Sequence, residues 1–194
     1  MAYEDLTTYT EVDIYEVITV TTTKASVNGT LSGSSECFVE MMFSGTTKEI
    51  MFLFEVTPVV VPASVYLQYL FVTEGWFAVE GVVDGGTLYF GLTQQGVGVV
   101  GTEEVTAGTK YYITLTEKAP KITAVIRTGS HTGTVFDTLE LTIAEGYPLT
   151  WVQFPWFANQ GESPSTVQFD VENLEIIQMT SFMSTNAKYW GDLK

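Results

Sequence analysis

Apolar and polar residues alternate most cleanly between Gly108 and Arg127, GTKYYITLTEKAPKITAVIR. Tyr111, Ile113 and Leu115 take one parity and Tyr112, Thr114 and Thr116 the other. After Glu117-Lys118-Ala119-Pro120, Ile122, Ala124 and Ile126 alternate with Thr123, Val125 and Arg127. Period-2 alternation of β-branched and aromatic residues marks strands with one face on a core, and a proline in the polar connection belongs at a strand boundary. The pattern predicts a hairpin near the middle of a β-sandwich.

The same pattern extends over the chain. Strands are predicted at Ile14–Thr22, Cys37–Phe43, Glu49–Thr57, Leu139–Ile143 and Thr150–Phe157, and a meander at Tyr66–Thr73, Trp76–Val83 and Thr87–Leu92. Asn28-Gly29, Gly33-Ser34-Ser35, Glu74-Gly75 and Asp84-Gly85-Gly86 read as turns, and Ser44-Gly45-Thr46-Thr47 as a hairpin loop. Residues 2–10 read as extended, and Cys37–Phe43 and Glu49–Thr57 as inner strands covered on both faces. In Thr166–Ile177, Val167, Phe169 and Val171 share a parity that Leu174 and Ile176 leave. That slip predicts a β-bulge at Glu172-Asn173, in a last strand expected to pair with Ile14–Thr22. Helical periodicity is absent, so the expected fold is an all-β sandwich over residues 1–178. Residues 179–194 form a C-terminal tail in which Phe182, Tyr189 and Trp190 are expected to bind a partner, since solvated tails are poor in aromatics.

Composition narrows the function. The 194 residues are 45% hydrophobic, enough for one well-filled domain. A net charge of −15 disfavours phosphate backbones and anionic membranes, so no nucleic-acid partner and no membrane insertion are expected. Calcium is the cation such a surface would take, with no ligands assignable. One histidine and one cysteine cannot build a transition-metal site, so no metal site is assigned. Cys37 lies in an apolar run and reads as a buried, inert thiol. The acidic start MAYEDLTTYTE has no leader character, so the expected location is a virion or extracellular surface reached without a signal peptide, or the cytoplasm.

Four stretches resemble concanavalin A-like lectin/glucanase jelly-roll domains of the phage and metagenomic type: the opening Tyr3–Asp13, Gly108–Leu115, Asp137–Thr142 and Asp170–Glu175. They occur in the expected order. The resemblance implies two antiparallel sheets of six or seven strands, with the first and last strands paired. It also implies a glycan-binding, glycan-cleaving or structural role on virions and cell surfaces. Lys110 stands where the family pattern has tryptophan, Asp13-Ile14 replaces its Asp-Pro, and residues 179–194 lie outside it.

Candidate chemistry is sparse. Glu11-Val12-Asp13-Ile14-Tyr15-Glu16 matches the E-x-D-x-x-E pattern of retaining β-glucanases on this superfold, where two glutamates act as nucleophile and acid. Only ten residues precede Glu11, too few to build a cleft around it. Gly96–Gly101 satisfies G-x-G-x-x-G without a following helix, and His131 reads as a solvated loop residue. Trp76, Tyr147, Trp151 and Trp156 are the candidate sugar-stacking platforms. Three readings stand: a non-enzymatic structural or attachment module, associating with itself or with virion proteins; a carbohydrate-binding lectin-like domain; and a retaining β-glucanase using Glu11 and Glu16.

Overall fold

The structure, a computed structural model, describes residues 3–13, 16–31, 35–47, 49–60, 67–73, 77–94, 97–143, 149–159 and 165–178. In chain order the strands are β1 Thr10–Val12, β2 Ile18–Val20, β3 Lys24–Leu31, β4 Ser35–Thr47, β5 Glu49–Val60, β6 Leu67–Thr73 and β7 Phe77–Asp84. They continue with β8 Thr87–Gln94, β9 Val97–Val100, β10 Tyr111–Lys118, β11 Lys121–Thr128, β12 Thr134–Thr142, β13 Leu149–Asn159 and β14 Ser165–Gln178. The first sheet has the order β1-β4-β13-β6-β7-β8-β9 and the second β12-β11-β10-β5-β14-β3-β2, with every pairing antiparallel. The alternation predicts a β-sandwich and the family resemblance a two-sheet antiparallel jelly roll, and this is that fold.

The inward faces meet in one aromatic core. Phe52 and Phe54 of β5 reach across to Phe71 of β6, with ring centroids 4.6 and 4.9 Å apart, and Phe71 stacks in turn on Phe154 of β13 at 6.2 Å. Each such buried side chain contributes about 1.5–3 kcal/mol of transfer free energy. The hairpin β10–β11 keeps full register from Tyr111↔Thr128 to Lys118↔Lys121, and Tyr111, Ile113, Leu115, Ile122, Ala124 and Ile126 are buried as their parity requires. The 85–86 turn of the meander also forms, with both glycines at positive φ, 58° and 89°. Its other turn, at 74–75, lies outside the described residues.

Other expectations are corrected. The bulge in β14 is present: Asn173 has φ 54°, and the pairing with β5 shifts between Glu172 and Glu175. The neighbours of β14 are β3 and β5, however, and β2 lies one strand further out, beyond β3. Parity reports the face a strand shows, not its partner. The first and last strands are likewise unpaired, β1 lying beside β4 in the other sheet, although the Glu4 N–H donates to the Leu174 carbonyl at 2.8 Å. Asn28-Gly29 is the middle of β3 rather than a turn. Its glycine serves close approach, because a Cβ there would stand 2.3 Å from Val17 Cγ1.

Strands β4 and β5 belong to different sheets, and Ser44, Gly45, Thr46 and Thr47 are the end of β4 rather than a hairpin loop. Among the described residues of Ile14–Thr22 the strand is the short β2, Ile18–Val20, and Leu6–Thr8 forms a 3-10 turn capped by Asp5 that buries Leu6. Val97–Val100, within the G-x-G-x-x-G match, is edge strand β9. Cys37 is buried in the core, as its apolar run predicts.

Candidate functional site

In a two-sided sandwich the residues that alternate away from the core form the outer faces, and the outer face of the first sheet collects the candidate chemistry. One register row crosses all seven strands: Thr10, Glu40, Gln153, Val72, Ala78, Thr93, Gly98. Their strand neighbours Val39, Val152, Val79 and Leu92 are fully buried in the core, so the row itself faces outward. The Gln153 amide Nε2 donates to Glu40 Oε2 at 2.7 Å, which holds both side chains in a fixed orientation.

Beside that pair lies a small apolar cluster separate from the main core. Phe38 and Trp151 are partly buried and pack against Val72 and Ala78, which are 0% and 1% exposed. Trp151 sits two residues before Gln153 on β13, so both project to the same side. Its register partner Met42 is 62% exposed. The next row along brings the backbones of Trp156, Tyr69, Glu80, Gly91 and Val100 into line. Burial pushes the Glu80 carboxyl above the usual carboxylate range. The face therefore combines an aromatic platform, a fixed amide–carboxylate pair and a carboxyl biased toward its protonated, donor form.

Of the stacking candidates read from sequence, Trp151 is on this face and Trp156 is in register with it. Trp76 and Tyr147 lie outside the described residues, as do Phe182, Tyr189 and Trp190. Phe38, Glu40, Glu80 and Gln153 were missed. Their signal was there: in Cys37–Met41 and Phe77–Val83 a carboxylate takes the parity opposite the core residues. The E-x-D-x-x-E residues do not share a strand. Glu11 is exposed on β1 opposite Val39, and Glu16 is exposed at φ 54° on the way to β2 in the other sheet. Asp13 is committed to the backbone, its Oδ2 accepting the Ile18 N–H at 2.6 Å. His131 is not solvated: its ring packs edge-on against Tyr112, centroids 5.4 Å apart. Among the described residues no group of three or more His, Cys, Asp or Glu side chains is arranged to hold a metal, and no helix is long and apolar enough to cross a membrane.

No family model matches the sequence, and no curated protein matches it. Solved structures do. A legume lectin-like domain from Entamoeba histolytica matches with a TM-score of 0.58 at 10% identity, over 92% of this chain and 96% of that one. The cellulose induced protein Cip1 matches with a TM-score of 0.54 at 12% identity, over 92% and 97%. A family 7 alginate lyase matches with a TM-score of 0.54 at 11% identity, over 84% and 83%. The likeness is one of fold. It agrees with the concanavalin A-like resemblance of the sequence, whereas the phage and metagenomic type rests on the sequence motifs alone.

Proposed function

We propose that this chain is a carbohydrate-binding, lectin-like module that receives glycan on the outer face of its first sheet. The observation that carries the reading is the juxtaposition of Trp151 with the hydrogen-bonded Gln153–Glu40 pair on one outward face. A sugar ring offers an apolar C–H face and a rim of hydroxyls. Binding sites for such ligands pair apolar or aromatic surface with a few oriented polar groups. The named functions of the similarly folded lectin-like domain and alginate lyase add support from the same chemistry. The attachment module read from the sequence is retained in this form: attachment through a glycan, on a virion or cell surface.

Binding is preferred to hydrolysis for a geometric reason. Glu40 on β4 and Glu80 on β7 are separated by β13 and β6, hence by roughly 14 Å at the usual strand spacing. Paired glycosidase carboxylates act at about 5–10 Å. The test is a glycan array followed by calorimetric titration of the best ligand. Saturable binding to a defined glycan is expected, weakened roughly tenfold or more in Trp151→Ala. Because Trp151 also packs on Val72 and Ala78, Gln153→Ala serves as a second, less disruptive variant. An array without saturable ligands, or a ligand indifferent to both variants, would overturn the proposal.

A further inference from the structure

The outer face of the second sheet carries a separate polar assembly. Lys24, Glu172, Glu55, Tyr112, Arg127 and Val135 lie in one register row across β3, β14, β5, β10, β11 and β12. The middle of this face is shielded: Glu55 is 7% exposed and nearby Thr114 4%. Lys110, just ahead of β10, donates to Glu55 Oε2 at 2.8 Å and also to Glu172 Oε2. One ammonium thus engages both carboxylates. Arg127, the sole arginine of the sequence, stands beyond Tyr112 with no ion-pair partner among the described residues.

Past β11 the chain turns at Gly129, φ 84°, and lays the sole histidine against Tyr112, rings at 80°. Arg127 Nη1 and both His131 ring nitrogens are closed off from solvent and have no hydrogen-bond partner among the described residues. A buried polar atom without a partner forfeits its hydration uncompensated, so three of them, on two side chains four positions apart, call for an explanation. Burial holds His131 below its ordinary value, with Glu55 opposing and Arg127 assisting that shift. A neutral imidazole offers one donor and one acceptor, and the guanidinium offers fixed donors suited to planar oxyanions.

We propose that Arg127 and His131 form a site for an oxyanion borne on a small ligand, a carboxylate or a sulfate, on the outer face of the second sheet. With Glu55 and Glu172 engaged by Lys110, Arg127 is the cation left to receive the anion, Tyr112 is the wall, and His131 closes the other side. The site is independent of the glycan face of the first sheet.

A single histidine makes the test direct, because the imidazole C–H resonance in NMR belongs to His131. The intact chain is titrated with sodium glucuronate and with sodium sulfate, against sodium chloride at matched ionic strength. The expected result is a saturable displacement with at least one of the two probes, the responding probe identifying the anion. The apparent pKa of His131 should rise in its presence, because an added negative charge favours imidazolium. Arg127→Gln should abolish the displacement, and Arg127→Lys should weaken binding roughly tenfold or more, because it keeps the charge but loses the planar fork. A response no different from chloride, or one that persists in Arg127→Gln, overturns the proposal. Should Arg127→Gln fail to fold, His131→Gln leaves β11 intact. Calorimetry with the same probes should then show weakened binding, and unchanged binding would equally overturn the site.

Discussion

Glu80 and Gly91 are direct cross-strand partners, and the glutamate side chain lies over the glycine: a Cβ at position 91 would stand 2.8 Å from Glu80 Cγ and 2.9 Å from its Oε1. The missing side chain is what lets the carboxyl lie down against the sheet. Burial there raises its pKa. At acid pH, below the ordinary carboxylate value, folded and unfolded chains are both protonated and the burial costs nothing. As pH climbs through the unfolded and then the folded value, the folded chain holds the extra proton and stability falls. Above the raised value the full cost is present. Glu80→Gln should therefore melt higher than the parent at pH 8, and the advantage should vanish by pH 4. Thermal melts across that range check it, and an advantage independent of pH would contradict the account.

Lys110 replaces the tryptophan of the resembled family pattern, and the structure supplies the reason: it bridges Glu55 and Glu172, which are register partners on adjacent strands. Burial works against its charge, but hydrogen bonds to Glu172 and Glu55 outweigh it and raise the pKa well above the ordinary lysine value. Lys110→Met should cost about 1–2 kcal/mol near neutral pH, a modest figure because the lysine side chain is 38% exposed. Urea denaturation at pH 7 measures it; a Lys110→Met variant as stable as the parent would refute the bridge.

At the bulge of β14, Asn173 holds φ 54° while its N–H donates to the Thr23 carbonyl at 2.7 Å. Asparagine and glycine tolerate this backbone, whereas a β-branched residue does not. Asn173→Gly should leave stability within about 0.5 kcal/mol, and Asn173→Val should lose about 1–3 kcal/mol. Equal stabilities in chemical denaturation would show that the bulge carries no such constraint.

Which parts of this were readable beforehand follows from what alternation encodes. It reports faces, so the hairpin from Tyr111 to Thr128 and the phase slip at Glu172-Asn173 were plain. It is silent on partners, so β14 was assigned the wrong neighbour, and Ser44-Gly45-Thr46-Thr47, the end of β4, passed for a hairpin loop. Asn28-Gly29 misled because a glycine placed under Val17 looks the same in sequence as one placed in a turn. Trp151 was found by residue type. Glu40 and Gln153 were not, because they are 113 positions apart and only the β4–β13 register brings them together. His131 was misread for the same reason, since Tyr112, its neighbour, lies on the other arm of the hairpin.

The tail remains a proposal drawn from its aromatics. Truncation after Gln178 should leave the melting temperature within about 2 °C of the full chain, the shift expected when well under 1 kcal/mol is lost. Self-association, followed by light scattering, should disappear. A truncated chain that loses several kcal/mol, or that associates as before, would remove Phe182, Tyr189 and Trp190 from the role of partner contacts.

The register row from Thr10 to Gly98 also has a kinetic meaning. Adjacent positions in it come from residues 10, 40, 153, 72, 78, 93 and 98, so the chain must close several long loops before the face exists. Pairings of such large sequence separation form slowly, on the scale of about milliseconds to seconds for sheet proteins. The glycan capture proposed for that face is accordingly a clock for refolding: it should return last, after the fluorescence of the local hairpins has settled, and no excised fragment should show it.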